Sequence, residues 1–446
     1  MNVALYKEVL EYLAKLIKGT KYEGHVYAVG GCVRDSLIAK AEGNEGKIKD
    51  IDLVVDLPKG GIEFAQFLHD GKKVKGNLVI YETFGTVMFK LKKYPDLELE
   101  AVQTRSECYR DEDSRNPETS FGTIQQDAFR RDFTINALYY DISGKKIIDF
   151  NGHGLDDLRN HVIDTCGDPD IIFNEDPLRI MRAVRFAARL GYSISDRTVE
   201  GIKKYAERLC IISQERITDE FNKIIVTSNP AYGITKLQDF GIMKIIAPIL
   251  CKSLDVRALH TITDVSYYTD CYNLYALIAD KPQRDKKKMM LATISYFTGY
   301  ERFELLMHDM KYSNDEIKEV RFYASSLTDL KYASENRDLV LLHKVEYECG
   351  DEETYATLFF LSRYFKDIRY WEAAHPASEH PFIGYRLPVD GQWVMDKFNI
   401  SPGPNVGYIL KALLHCAFAE PEDYMTREDI ERRLKTLKTK FLPWTE

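Results

Sequence analysis

The chain has 446 residues, of which 45% are hydrophobic and 29% are charged, and its formal net charge is −8. This length predicts about two to four domains, each with its own core. The acidic balance excludes a nucleic-acid binder that relies on overall basic character, so such a partner would need locally concentrated positive charge.

The eight cysteines are scattered along the chain and form no CxxC pair. This spacing argues against a structural zinc site and a secreted disulfide framework, and it is typical of a reducing compartment. No stretch approaches the roughly 18 apolar residues that span a membrane, and the first residues lack the pattern of a signal peptide. We therefore expect a cytoplasmic protein.

Taken in chain order, residues 3–17 show helical spacing of apolar side chains, and an apolar strand, HVYAVGG, follows. The next segment, CVRDSLIAKA, reads as a helix with Arg34 in its first turn. A strand, a Gly-Gly turn and a helix start together let backbone N–H groups approach a phosphate closely. A Gly-Gly turn by itself is more often only a turn, so its neighbours decide its meaning.

About twenty residues later, the stretch IKDIDLVV at positions 48–55 places Asp50 and Asp52 on one face of a predicted strand. Like charges so close repel each other, and a divalent cation removes the conflict. Mg²⁺ favours a few carboxylates together with substrate phosphates. Two solvated acids on an edge strand remain the alternative, which composition alone favours.

Three further strands are predicted, in NLVIYE, GTVMFKLK and LELEAVQTR. Glu98 and Glu100 share one face of the last strand, where either is a candidate third acid and a solvated face is the alternative. Polar residues 106–120 predict a loop. The segment FRRDFTINALYYD follows, and its paired arginines suit triphosphate oxygens through charge-assisted bonds.

Residues 174–190, NEDPLRIMRAVRFAARL, predict one helix with Asn174 as its cap and Gly191 at its end. On a helical projection its apolar residues form one face, and four arginines without a lysine form the other. Such a face favours planar, bidentate recognition, although a solvated basic face is the simpler alternative. Asp176 and Arg179 offer an acceptor and donors suited to the Watson–Crick edge of a base.

Together these segments resemble the motifs of class II tRNA nucleotidyltransferases of the polymerase-β superfamily. The segments that carry the resemblance are, in order, GGCVRD with DID, RRDFTINAL, DFNGHGLDDL, EDPLRIMRAVRFAARLG and SQERITDEF, and they span residues 25–225. The resemblance implies an α+β fold: a small nucleotidyltransferase head with a mixed sheet, followed by an elongated all-helical neck, body and tail. It also implies tRNA, CTP and ATP as substrates and Mg²⁺ as cofactor.

The resemblance assigns roles residue by residue. Asp50 and Asp52 would bind the metal ions that activate the primer 3′-hydroxyl. Gly31, Arg34 and Arg131 would hold the triphosphate and Asp132 the ribose. Asp176 and Arg179 would pair with the incoming base, and Arg182 and Arg185 would line the same pocket or contact the primer.

The expected domains are a catalytic head (1–150), a neck with nucleotide- and RNA-binding helices (151–240), a helical body (241–380) and a tRNA-binding tail (381–446). The segment YETFGTVMF resembles the CCA-adding type rather than poly(A) polymerases, and the loop at 106–120 favours A addition as well. An A-only, CC-only or poly(A) enzyme stays an alternative. A non-catalytic RNA-binding relative is the alternative from another class.

Overall fold

The computed structural model describes residues 1–46, 48–82, 85–108, 118–248, 283–364, 382–421, 424 and 426–437. The described residues fall into two compact units, one ending at residue 248 and the other beginning at residue 283. Residues 109–117, which are most of the predicted loop, and residues 365–381 lie outside the described residues. The described ends of that loop, 106–108 and 118–120, form paired strands instead. The predicted division into four domains stays a prediction.

The first unit begins with a mixed seven-stranded sheet and its helices. The strands are β1 (Val26–Val29), β2 (Ile51–Val55), β3 (Val79–Tyr81), β4 (Thr86–Leu91), β5 (Tyr94–Gln103), β8 (Leu138–Asp141) and β9 (Lys146–Asp149). Their order across the sheet is β3-β4-β5-β2-β1-β8-β9. Only β2 and β5 pair in parallel within this sheet; the other neighbours are antiparallel. The predicted mixed-sheet head is therefore confirmed.

The helices and a separate hairpin complete this part of the chain. They are α1 (Val3–Ile17), α2 (Gly31–Glu42), α3 (Gly60–Asp70), α4 (Ile124–Phe129) and the hairpin of β6 (Arg105–Cys108) with β7 (Glu118–Phe121). Helices α2 and α3 pack on the central strands. A Cβ atom at Gly61 would lie 2.7 Å from the Val102 Cα, so only glycine permits this close approach of α3 to β5.

Short elements lead from the head to a helical segment. They are α5 (Gly154–Asn160), β10 (Val162–Ile163), α6 (Pro169–Glu175), α7 (Leu178–Leu190), β11 (Ser193–Ile194), α8 (Asp196–Tyr205), α9 (Gln214–Ile225), α10 (Pro230–Asp239) and α11 (Ile242–Ile246). Helix α7 packs against α9 and α10 through its apolar face. Gly191 ends α7 in the left-handed conformation, as predicted.

The single helix predicted at 174–190 is wrong in its first turn. Asn174 lies inside α6, and the chain leaves helical geometry at Asp176, where φ is −138° and ψ is 92°. Pro177 is then the N-cap of α7, which begins at Leu178. Proline disfavours helical geometry in the residue before it, so the break falls on Asp176.

The regular elements among the described residues of the second unit are all helices. Its helices are α12 (Gln283–Thr298), α13 (Tyr300–Asp309), α14 (Asn314–Asn336), α15 (Leu339–Cys349), α16 (Glu352–Tyr364), α17 (Gly391–Phe398), α18 (Pro404–Ala419) and α19 (Arg427–Leu437). One core there is built around Phe382, Trp393 and Phe418. Among the described helices, none has the length and apolar character needed to cross a membrane.

Candidate active site

The Gly30–Gly31 turn lies against the predicted acid pair. Gly30 caps α2 with φ +79°, a conformation that favours glycine, and a Cβ atom there would lie 3.2 Å from the Asp52 Oδ2. Gly31 is the first residue of α2, so the positive end of the helix adjoins the carboxylate. The backbone of the turn and the acid pair therefore share one site.

Asp52 lies in β2, whereas Asp50 precedes the strand and is exposed. The prediction that both acids belong to one strand is therefore corrected, although their separation by a single residue stands. Parallel pairing of β2 with β5 sets Glu100 opposite Asp52. Glu98 is exposed and pairs with Lys90 of the neighbouring strand β4. Of the two candidate third acids, Glu100 is therefore the one that lies next to Asp52.

The acids destabilise one another's charged forms. Burial, followed by the charges of Asp50 and Glu100, raises the pKa of Asp52 to about 6, against an opposing effect of Arg131. Burial also raises the pKa of Glu100, with Asp50 contributing. A group of repelling, half-buried carboxylates is the chemistry that a bound cation compensates.

No group of three or more His, Cys, Asp or Glu side chains is arranged to hold a metal ion in the part of the chain described. A pair of carboxylates is nevertheless the donor set that Mg²⁺ takes when substrate phosphates supply further oxygens. Asp50 and Asp52, beside the Gly30–Gly31 turn, therefore fit a cation that binds together with a phosphate ligand.

A polar cleft of about 280 Å³ lies between the head and α7. Its lining consists of five arginines, two aspartates and one leucine: Arg130, Arg131, Asp132, Asp176, Leu178, Arg179, Arg182 and Arg216. Arg131, Asp132, Asp176, Arg179 and Arg182 are five of the residues predicted to bind nucleotide, so the structure brings these together. The Arg131 Nε donates to the Tyr139 hydroxyl, and Val29 pairs with Tyr139 on one side and with Asp52 on the other, so Arg131 links the cleft to the part of the sheet that carries Asp52.

Asp132 is buried and binds Arg182 across the cleft. Its Oδ2 accepts the Arg182 Nε–H at 3.0 Å, and its Oδ1 accepts the Phe133 N–H and the Asn136 amide. Burial alone would raise its pKa, but Arg182 holds the pKa of Asp132 down at about 2. The carboxylate is therefore ionised across the physiological range.

Asp127 organises the two arginines at the other side of the cleft, and sequence reasoning did not identify it. Its side chain is fully buried; Oδ1 accepts from Arg130 and Oδ2 from Arg131 and the Tyr139 hydroxyl. These guanidinium groups hold the pKa of Asp127 below its usual range despite burial. The available signal was the spacing of three and four residues from Asp127, on α4, to the two arginines that follow the helix.

Asp176 and Arg179 both line the cleft from the break between α6 and α7. The Asp176 Oδ1 accepts the Leu178 N–H, and its Oδ2 lies 3.5 Å from an Arg216 nitrogen. Arg179 is largely buried, with Nη1 at 3.6 Å from the Glu175 carboxylate. Arg216, on α9, is a lining residue that the sequence analysis did not single out.

The two other predicted nucleotide-binding side chains lie away from the cleft lining. Arg34 is only 1% exposed and binds Asp35 and Asn136. The Arg185 Nε lies 2.8 Å from Glu220 on α9, an ion pair without hydrogen-bond geometry. Arg34 and Arg185 thus act on protein partners in this structure, and their predicted nucleotide contacts stay predictions.

Comparison with known proteins places this geometry in a family. Residues 26–164 match the poly A polymerase head domain, and residues 191–254 match the probable RNA and SrmB-binding site of polymerase A. The chain is 28% identical over 411 residues to a CCA-adding enzyme of Limosilactobacillus reuteri, covering 92% of each. The chain belongs to the class II family of tRNA nucleotidyltransferases and poly(A) polymerases.

A second relative of this nucleotidyltransferase is tRNA nucleotidyltransferase cca1 of Schizosaccharomyces pombe, 31% identical over 268 residues. That match covers 56% of this chain and 51% of the yeast protein, so the chain spans about half of its length. The fold also matches a Bacillus stearothermophilus CCA-adding enzyme in complex with CTP, with TM-score 0.67, 22% identity and coverage of 97% and 99%. A Thermotoga maritima CCA-adding enzyme complexed with tRNA matches with TM-score 0.64, 23% identity and coverage of 98% and 99%.

Replacing Asp52 by asparagine should stabilise the metal-free nucleotidyltransferase at neutral pH. The raised pKa of Asp52 means that the folded protein binds this proton more tightly than the unfolded chain does. Ionisation of Asp52 therefore opposes folding, and this penalty grows as the pH rises from about 4 to 6 and then stays constant. We expect a gain on the order of 1–3 kcal/mol above pH 6 that shrinks towards zero at about pH 4, measured by denaturant unfolding with a chelator present. The exposed Asp96→Asn variant is the control, and equal or lower stability of Asp52→Asn at neutral pH would contradict the electrostatic account.

Replacing Asp127 by asparagine should destabilise the protein strongly. The change leaves two guanidinium groups and the Tyr139 hydroxyl around a neutral amide, and breaking a buried pair costs about 3–5 kcal/mol. Asp156→Asn is the matched control, because Asp156 forms an exposed i,i+3 pair with Arg159 worth less than about 1 kcal/mol. Similar unfolding midpoints for the two variants would show that the Asp127 cluster is not structural.

Proposed function

We propose that this protein adds CCA to the 3′ end of tRNA from CTP and ATP without a nucleic-acid template. The observation that carries the proposal is the position of the acid pair beside both the glycine turn and the arginine-lined cleft. Nucleotidyl transfer needs such a neighbourhood, because the attacking hydroxyl, the α-phosphate and the departing pyrophosphate all meet within one small volume.

Asp50 and Asp52 are proposed to hold Mg²⁺. When bound, the metal lowers the pKa of the primer hydroxyl and neutralises charge that develops on the phosphate oxygens. The protein's own contribution is to supply two ionised carboxylates at fixed positions. Burial, followed by the charges of Asp50 and Glu100, raises the pKa of Asp52 to about 6, so a proton competes with the metal for this carboxylate as the pH falls towards 6.

The triphosphate is proposed to lie between the N-terminus of α2 and Arg131. Backbone N–H groups at Gly31 and the helix dipole favour negative charge there. Arg131 is already oriented by Asp127, so its guanidinium loses little conformational entropy on binding a phosphate. Asp132 would accept from a ribose hydroxyl while it keeps its pair with Arg182.

Asp176 and Arg179 are proposed to read the base in place of a template. Cytosine and adenine both present an amino group where guanine and uracil present a carbonyl oxygen. A carboxylate accepts from an amino group and repels a carbonyl, so Asp176 separates the accepted pair from the rejected pair. Arg179 supplies donors for the adjacent ring acceptor, and Arg182 and Arg185 support the same helix.

The similarity to CCA-adding enzymes over 92% of both chains supports CCA addition more than a partial or poly(A) activity. The tail of the protein, from about residue 381, is proposed to bind the body of the tRNA. The neck and the helical body of the protein are proposed to carry this tail. A cytoplasmic location is also a proposal; the relatives include a mitochondrial enzyme.

Asp50→Ala and Asp52→Ala should each lower nucleotide incorporation by at least about 10³-fold while tRNA affinity is kept, since the change removes a metal ligand and no RNA contact. The assay extends a tRNA that ends before CCA with CTP, ATP or both, and resolves products to one nucleotide. Retained incorporation would remove the pair from catalysis. With the wild-type enzyme, A addition only, C addition only, long A tails or no product would favour the partial enzymes, the polymerase or the non-catalytic relative.

Asp176→Ala and Arg179→Ala should alter nucleotide selectivity more than they alter the rate of tRNA binding. Loss of one bidentate contact weakens discrimination by about 10- to 100-fold. Incorporation of CTP, ATP, UTP and GTP is compared at each position of the tRNA end. The Asp170→Asn variant is the control, because Asp170 lies on the neighbouring helix α6 but pairs with Lys204 at the surface. Unchanged selectivity would exclude both residues from base reading.

A further inference from the structure

A continuous chain of polar contacts joins the two sides of the proposed nucleotide site, and no single segment of sequence contains it. It runs from the outer end of α7, through the first turn of α2, and back to the middle of α7. Its members, in order of contact, are Arg189, Asp35, Arg34, Asn136, Asp132 and Arg182. We call it the α2–α7 ladder.

The outer contacts of the ladder join charged side chains. An Arg189 nitrogen lies 3.0 Å from the Asp35 Oδ2, and the other Asp35 oxygen accepts the Arg34 Nε–H at 2.7 Å. Asp35 therefore divides its two oxygens between a residue of α7 and a residue of its own helix. This division ties the first turn of α2 to the last turn of α7.

The inner contacts pass through one neutral amide. The Asn136 oxygen accepts from Arg34, and its Nδ2 donates to the Asp132 Oδ1 at 3.1 Å. An amide has one accepting end and one donating end, so it can join a guanidinium to a carboxylate in only one orientation. Asp132 closes the ladder on Arg182.

Arg34 is the deepest member, and its surroundings explain why its charge is tolerated there. Its guanidinium stacks 5.1 Å from the centroid of the Phe186 ring of α7, and its Nη2 lies beneath Gly31. A buried guanidinium that lost either partner would be left with unpaired donors at a cost of several kilocalories per mole, so the ladder has few alternative arrangements.

We propose that the α2–α7 ladder holds the base-reading helix in register with the phosphate-binding turn, and that Arg34 is a positioning residue within it. The inference rests on the proposed function above and deepens it. Helix α2 starts at the phosphate turn and α7 carries Arg179 and Arg182. When the distance between α2 and α7 is fixed, the position of the triphosphate determines where the base meets Asp176 and Arg179.

The test uses Arg189→Gln, which removes the outermost contact at a half-exposed position remote from the cleft lining. We expect the preference for the correct nucleotide, measured as kcat/KM for CTP against ATP at each tRNA position, to fall at least about threefold. The KM for tRNA should stay unchanged. Arg159→Gln is the matched control, since it removes an exposed Arg–Asp pair in the same unit.

Asn136→Asp tests the inner contacts by an isosteric change. The new carboxylate still accepts from Arg34 but faces Asp132 with like charge, so selectivity should fall further than in Arg189→Gln. Circular dichroism melts report whether each variant is folded. If Asn136→Asp is unfolded, the variant Arg189→Gln is compared with the double variant Arg189→Gln/Asp35→Asn instead. Two changes within one ladder should lower selectivity by less than the sum of their separate effects.

The outcomes separate this inference from the proposed function. If the wild-type enzyme adds CCA and the folded ladder variants keep wild-type selectivity, the ladder is only structural and the inference is wrong. If the wild-type enzyme adds no nucleotide, the proposed function itself fails. A matching loss in Arg159→Gln would also overturn the inference, because the effect would not be specific to the ladder.

Discussion

Buried carboxylates fix three of the five guanidinium groups that line the cleft and a fourth, on α7, outside the lining; the rest of the site depends on this pairing. Asp127 holds Arg130 and Arg131, Asp132 holds Arg182, and Glu220 holds Arg185. A guanidinium brought out of water needs such a partner, and a partner with few rotamers also fixes its direction. The arginines are therefore pre-oriented before any ligand arrives.

Asp50, Asp52 and Glu100 form an acid cluster in which, unlike in the cleft, repulsion between like charges dominates. Parallel pairing of β2 and β5 brings Glu100 beside Asp52. Asp50 is close to Asp52 because it precedes it by two positions in the sequence. Arg131 offsets this repulsion only in part, so the pKa of Asp52 stays raised. The neighbouring cleft has its charges largely satisfied by the protein, whereas the cluster is proposed to take its compensating positive charge from solution.

Local sequence carried the prediction of the strands, the glycine turn and the cleft residues Arg131, Asp176 and Arg179, whereas the family resemblance supplied the nucleotidyltransferase head and the role of Asp132. Strand alternation and helical spacing are encoded within about ten residues, so such features can be read directly. The choice of Glu100 over Glu98 required the register between two strands distant in sequence. The break at Asp176 was missed because a proline suits the first turn of one long helix and the start of a second one equally well. Asn136 showed no signal, since its role exists only through its partners.

The pairing of the cleft arginines with internal acids also affects which polyanions the enzyme attracts. Two aspartates line the cleft among its five arginines, and Asp127 and Glu175 compensate further charge from behind. These carboxylates offset most of the charge of the five arginines, and at physiological ionic strength the remainder is screened within about 8 Å. Contacts at short range, rather than long-range attraction, therefore decide which anions the cleft can hold.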